Sequence, residues 1–317
     1  MAELNPPKGL IVDLITPLTK RRDIDEVSLT RHLKRVIPHV HALLLGSPLI
    51  GEGRYLGPVL REQLLEKTLS IVEGHMPVFI WITQDSEGET RMTLIRLRKR
   101  LEIRKYTGQV FFVDAPLYYH SNRGLPELYQ DMISSIEDSV ILYNDPQLIK
   151  HIGSPFKRNN IRTSVLRELI LNEKIQGLVF SGSLDRAHNY QKAVSSRPDF
   201  RIYDGDESRF LIHPSLGGVV SAGANLAPEA WQKITGASLR MNGRQSDYPD
   251  YLKQIWEIGG YLSRLREIYQ THGAVVIKMI LAEKGIIDHT TCMEEEGGLD
   301  VRPDELKELV QQYKNYH

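Results

Sequence analysis

The chain has 317 residues, 41% of them hydrophobic and 25% charged, an ordinary composition for a globular protein of one large domain or two average ones. Forty basic residues balance forty acidic ones, so no net field draws the chain to nucleic acid or to an anionic membrane. A single cysteine, Cys292, excludes an intrachain disulfide and a thiolate zinc cluster, and no apolar run approaches the roughly 20 residues that span a bilayer.

The chain starts MAELNPPKGL, which lacks the basic-then-apolar plan of a signal peptide and makes the cytoplasm the expected location. The first apolar run is GLIVDLI (9–15). SLTRHLKRVI follows, with Leu29, Leu33, Val36 and Ile37 on one helical face. ALLLG (42–46) is the second run, and in REQLLEKTLSIV the residues Leu64, Leu65, Thr68, Leu69 and Val72 form the next helical stripe. The same alternation continues through PVFIWI (77–82), QVFFVDA (109–115), SVILYN (139–144), IQGLVFS (175–181), DFRIYDG (199–205) and GGVVSAG (217–223). A recurrence of about 30 residues is the spacing of βα units. Eight such units predict an α/β fold, a (β/α)8 TIM barrel; a doubly wound sheet is the competitor, and eight similar units favour closure.

Past the eighth unit the pattern changes. Residues 249–285 and 303–315 read as helices without an intervening strand, and 288–304 as a loop. The expected organisation is a barrel over 1–249 and a C-terminal helical extension over 250–317 packed on it.

Active sites of such barrels lie at the C-terminal ends of the strands. The residues there are Thr16 and Pro17; Gly46 and Ser47; Thr83; Asp114, Pro116 and Tyr118; Tyr143 and Asn144; Ser181; Asp204 and Asp206; Ser221 and Asn225. His39 and His41 sit before the second strand, at the wrong end for a site and without a third ligand, and are taken as ordinary histidines. Glu294, Glu295 and Glu296 are taken as a solvated loop.

In order along the chain these strand ends resemble the dihydrodipicolinate synthase and N-acetylneuraminate lyase family over nearly the full length. The motifs are Thr16-Pro17-Leu18; Gly51-Glu52 with Leu56; Pro116, Tyr118 and Gly124-Leu125; Tyr143-Asn144-Asp145-Pro146; Gly205-Asp206; Gly217 to Ser221; Asn225 to Pro228; and Ile277-Lys278 with Gly285. The resemblance implies class I aldolases, in which a lysine on the sixth strand forms a Schiff base with a 2-keto acid and the protonated imine serves as electron sink. It implies no cofactor and no metal, since Asp206 is a landmark of metal-free enzymes. It also implies homo-oligomers, tetramers built from tight dimers, in which Tyr118 or Tyr119 would enter a neighbouring site.

IQGLVFSGS lies on the family's lysine motif without gaps, and the lysine position is Val179, with Phe180 in place of the acidic residue. The loop after the second strand, GSPLIGE, is two residues longer than the family's and keeps one hydroxyl, Ser47; Pro48 removes a backbone donor. Leu148 occupies the position of a carboxylate-gripping arginine, and Trp81 that of a small residue. Lys278 is read as structural.

Two readings follow. In the first, the chain is a divergent barrel that binds a small carboxylate or carbonyl compound without Schiff-base chemistry, through Ser47, Tyr118, Val179, Ser181 and Asp206. In the second it is an active lyase by another route, with Tyr143 as acid or base, or with Lys150 as a replacement nucleophile. The loss of lysine, arginine and the threonine pair together favours the first.

Overall fold

All eight apolar runs are strands in the computed structural model, which describes residues 5–134, 136, 138–152, 158–214, 216–239 and 248–293. They are β1 (Gly9–Asp13), β2 (Ala42–Leu45), β3 (Val78–Trp81), β4 (Val110–Asp114), β5 (Ser139–Asn144), β6 (Ile175–Phe180), β7 (Arg201–Asp204) and β8 (Gly218–Ser221). Each is parallel to its neighbour and β8 returns to pair with β1, so the sheet closes on itself and the doubly wound alternative is excluded.

Closure explains why the strands read as unbroken apolar runs. Each is covered on both faces. Residues of one parity, such as Leu10, Val12, Ile80, Phe112, Leu142 and Leu178, pack under the outer helices. Those of the other parity, among them Ile11, Leu44, Phe79, Phe111, Ile141, Val179, Tyr203 and Val220, fill the barrel interior.

The surrounding helices are α1 (Glu26–Val36), α2 (Pro58–Val72), α3 (Glu87–Arg104), α4 (Leu125–Met132), α5 (Pro146–Ile152), α6 (Thr163–Leu169), α7 (Leu184–Ala193), α8 (Glu207–Ile212) and α9 (Pro228–Ser238). Asp25, Ser86, Ser183 and Asp206 cap α1, α3, α7 and α8 by accepting from backbone N–H groups of the first turn. Leu29, Leu33 and Val36 of α1, and Leu64, Leu65, Thr68, Leu69 and Val72 of α2, are buried as their spacing predicts.

Two further helices, α10 (Tyr248–Tyr269) and α11 (Gly273–Glu283), occupy the segment expected to be helical over 249–285, and α10 lies against α8 and α9. The helix expected over 303–315 and the acidic run Glu294 to Glu296 lie outside the described residues. Among the described residues no helix is long and apolar enough to cross a membrane.

Candidate active site

Strand parity determines which side chains reach the barrel mouth. On β1, Leu10 and Val12 face the helices and Ile11 faces the interior. Asp13, two residues beyond Ile11, therefore faces inward at the C-terminal end of the strand, level with Leu44 of β2. The same alternation sends Trp81, Tyr143 and Val179 inward from β3, β5 and β6, and Tyr143 pairs in register with Val179. Tyr203, the next residue in that register, sends its hydroxyl to the carbonyl of Pro7 before β1. Tyr143 is left as the inward tyrosine of the mouth.

The walls here are apolar. Trp81 stands edge-on to the Tyr143 ring, with centroids 5.1 Å apart at 82°, and its indole N–H donates to the carbonyl of Thr83 at 3.1 Å. Leu148 on α5 is buried in the same cluster. Val179 is 1% exposed and has Gly205 as neighbour. A Cβ on Gly205 would stand 3.1 Å from Val179 and 2.2 Å from Ser181 Oγ, so glycine is what lets β6 and β7 end side by side.

Against these walls stand three polar groups. Burial lifts the Asp13 carboxyl to about 7; the nearby Ser47 hydroxyl works the other way, and the charge of Glu207 adds to the rise. Burial also holds the Tyr143 hydroxyl protonated, well above its usual range, with the charges of Asp145 and Asp13 acting in the same sense. Ser181 lies close enough to Tyr143 to ease its ionisation, but its Oγ makes no hydrogen bond of normal geometry. Asp13 Oδ1 likewise has no hydrogen-bond partner among the described residues.

Ser47, expected as a ligand-binding hydroxyl, is engaged: its Oγ accepts from the Gly51 N–H at 2.9 Å, and it lies close enough to Asp13 to ease its ionisation. The rest of the GSPLIGE loop is held from outside the barrel. Arg61, buried on α2, donates to the carbonyls of Gly53, Leu56 and Trp81. Thr16 Oγ1 donates to the Gly51 carbonyl at 2.8 Å. Lys278 on α11 pairs with Glu52, whose φ of 57° is left-handed, and Glu52 also accepts from the N–H of Met293 at 2.7 Å. Lys278 is thus a buried tie between α11 and the β2 loop, the structural part read for it from the sequence.

The remaining expected residues scatter. Tyr118 is half-buried beside the mouth, in a recess shared with Pro48, Arg54, Trp81 and Thr83, and donates to Asp85 Oδ1 at 3.1 Å. Asp206 caps α8 and accepts from the N–H and hydroxyl of Ser208. Lys150 is exposed on α5, outside the interior cluster. Asp114 and Asp204, at strand ends, have the outward parity. Asp114 accepts from Thr83, Tyr119 and Tyr129, and Asp204 pairs with Arg209 through two oxygens. Asn225 braces the end of β1: it accepts from the Ile15 N–H and donates to the Asp13 carbonyl.

Asp13 was not among the residues expected from sequence. Its signal was present, an aspartate inside GLIVDLI, where a run buried on both faces has no place for a charge without a partner or a task.

Comparison with known proteins follows the same line. The profile of the Dihydrodipicolinate synthetase family matches residues 6–304. A probable 2-dehydro-3-deoxy-D-pentonate aldolase of Escherichia coli is 30% identical over 186 residues, 56% of this chain and 57% of that relative's length. A 4-hydroxy-tetrahydrodipicolinate synthase of Protochlamydia amoebophila is 23% identical over 246 residues, 75% of this chain and 77% of its own. Among solved structures, a monomeric dihydrodipicolinate synthase variant superposes with a TM-score of 0.79 at 19% identity, covering 100% of this chain and 98% of that one. The Bacteroides thetaiotaomicron dihydrodipicolinate synthase gives 0.78 at 20%, covering 98% and 99%. At these identities the structural likeness speaks for the fold alone.

Proposed function

The chain belongs to the dihydrodipicolinate synthetase family, and from that premise we propose that it is a divergent member that binds a small carbonyl or carboxylate compound at the barrel mouth without Schiff-base chemistry. The observation that carries this reading is Val179. It occupies the position that the resemblance gives to the nucleophilic lysine, and its side chain is buried in the interior cluster with Tyr143. An imine needs an amine within bonding distance of the ligand carbonyl, and valine offers none.

Among the described residues no other lysine is a ready substitute. Lys278 is the buried lysine among the described residues, and its ammonium is committed to Glu52 and to the Thr291 carbonyl. Lys150 is exposed, so nothing desolvates its amine in the way a Schiff-base lysine requires. Leu148 and the pinned GSPLIGE loop supply no cation for a ligand carboxylate, and Trp81 narrows the mouth. What remains is suited to holding a carbonyl: Tyr143, kept protonated by burial, is a donor toward a ligand oxygen. The same shift weighs against Tyr143 as the base of the competing lyase.

The proposed partners are therefore the small carbonyl compound and, by family membership, a second copy of the chain. The relatives' names describe a synthase and an aldolase; for this chain we expect neither condensation of pyruvate with aspartate semialdehyde nor cleavage of N-acetylneuraminate. The test is proton NMR of pyruvate in heavy water with the protein at catalytic concentration. Enamine formation through an imine exchanges the methyl protons for deuterium. Exchange at the buffer rate is the expected result; clear acceleration would contradict the reading.

A further inference from the structure

The barrel's buried carboxylates fall into two groups. Asp204 is paired with Arg209, and Glu52 with Lys278. Asp25 accepts at both oxygens from Ser28, Asp114 accepts from three hydroxyls, and Glu207 accepts from Ser221, the Gly223 N–H and Tyr269. Asp13 differs. It is 9% exposed, faces the barrel interior, and among the described residues it is the buried carboxylate with an oxygen, Oδ1, that nothing meets. A buried carboxylate with an unmet oxygen costs stability, and fold-building gives no reason to keep one.

Its surroundings define what can meet that oxygen. Ser47, after β2, lies close enough to ease its ionisation. The strands flanking β1 put Leu44 and Val220 into the interior, neither of them charged. The titratable groups acting on it are Glu207 from α8, an acid already held by three donors, and Tyr143 from β5, which feels the Asp13 charge. Among the described residues the influences on it are burial, the Ser47 hydroxyl and the Glu207 charge. Ser181 Oγ, also without a partner, lies on the Tyr143 side.

We propose that Asp13 sets the ligand class of this mouth: its unpaired Oδ1 accepts an O–H from a small neutral hydroxycarbonyl compound, and a carboxylate-bearing compound enters only together with a proton. This deepens, and rests on, the carbonyl-binding reading above. In the neutral case the ligand hydroxyl donates to Oδ1 and its carbonyl accepts from Tyr143 or Ser181. In the anionic case two carboxylates would share a site of low dielectric, and one of them must hold a proton taken from solvent. Burial has already lifted Asp13 to about 7, so it is the group that takes it.

Hydroxyacetone and pyruvate decide the matter, being ketones of equal carbon count that differ in CH2OH against COO−. Calorimetric titrations of the full chain from pH 6 to 8.5, each in two buffers of different ionisation enthalpy, read affinity and proton uptake together. For hydroxyacetone the affinity holds or improves with pH and no proton is taken up. For pyruvate it falls about tenfold per pH unit above 7, with close to one proton taken up at pH 8. Asp13→Asn abolishes both the slope and the uptake and tightens pyruvate at pH 8, and Asp13→Ala abolishes them too. Pyruvate binding that is flat with pH and takes up no proton, or a slope that survives in both variants, would overturn the assignment of Asp13 while leaving the carbonyl-binding reading intact. Failure of both compounds to bind would overturn the two together.

Discussion

Asp13 is the residue at which function and stability pull apart. Its folded pKa of about 7 lies above the ordinary 3.8, so the folded state keeps a proton that the unfolded state has released. Its contribution is favourable below about pH 3.8 and is lost as pH rises through 7, where it levels off. At about 1.4 kcal/mol per unit over roughly three units, the loss is on the order of 4 kcal/mol as an upper figure. Asp13→Asn should therefore be more stable than the natural chain at pH 8, by a margin that shrinks to nothing near pH 3.5. Urea unfolding at both pH values checks this, and a margin independent of pH would contradict it. Tyr143→Phe keeps the edge-on contact with Trp81 and removes the donor. It should leave the melting temperature nearly unchanged and weaken hydroxyacetone by about tenfold, the worth of one hydrogen bond.

Single ties from distant elements hold the strand ends in place. Asn225, in the turn after β8, bonds the Ile15 N–H, the Asp13 carbonyl and His32. Asn225→Ala would leave buried backbone groups of β1 unmet and should cost on the order of 2–4 kcal/mol, read by chemical unfolding. The Glu52–Lys278 pair joins the β2 loop to α11 across 226 residues. Removing one charge strands the other: Lys278→Met should cost about 3–5 kcal/mol, and adding Glu52→Gln should restore a good part of it. A double-mutant cycle measures that coupling. These ties also mark where sequence reading stops. Strands were legible because an apolar run covered on both faces has few alternatives, and α1 and α2 because Leu29, Leu33, Leu65 and Leu69 recur at helical spacing. Val179 was legible because its neighbours align with a family motif. Asp13 was hidden inside GLIVDLI, because only the pairing of β1 with β2 and β8 says which parity faces inward. That Ser47 would be occupied depends on the Gly51 N–H four residues on, which folds back onto its hydroxyl.

At the scale of the whole molecule, a closed barrel presents one mouth, and everything proposed for this protein happens there. Family membership leads us to expect at least a dimer in solution, with contacts from the region Pro116 to Gly124. Tyr119 in that region is engaged with Asp114, so Tyr118, half-buried by the mouth, is the tyrosine expected to meet a neighbour. Light scattering at micromolar concentration should give at least twice the chain mass, and a monomer would contradict it. Among the described residues this mouth has no amine with which to form an imine. Borohydride reduction in the presence of pyruvate, followed by intact-mass spectrometry and peptide mapping, tests it most directly, with Val179→Lys as the matched comparison. The natural chain should show no pyruvate adduct. Val179→Lys should trap one at residue 179, yet without family-level turnover, since Leu148 and the pinned GSPLIGE loop still hold no carboxylate. A pyruvate-sized mass gain on the natural chain, mapped to Lys150 or to any other lysine, would contradict the account.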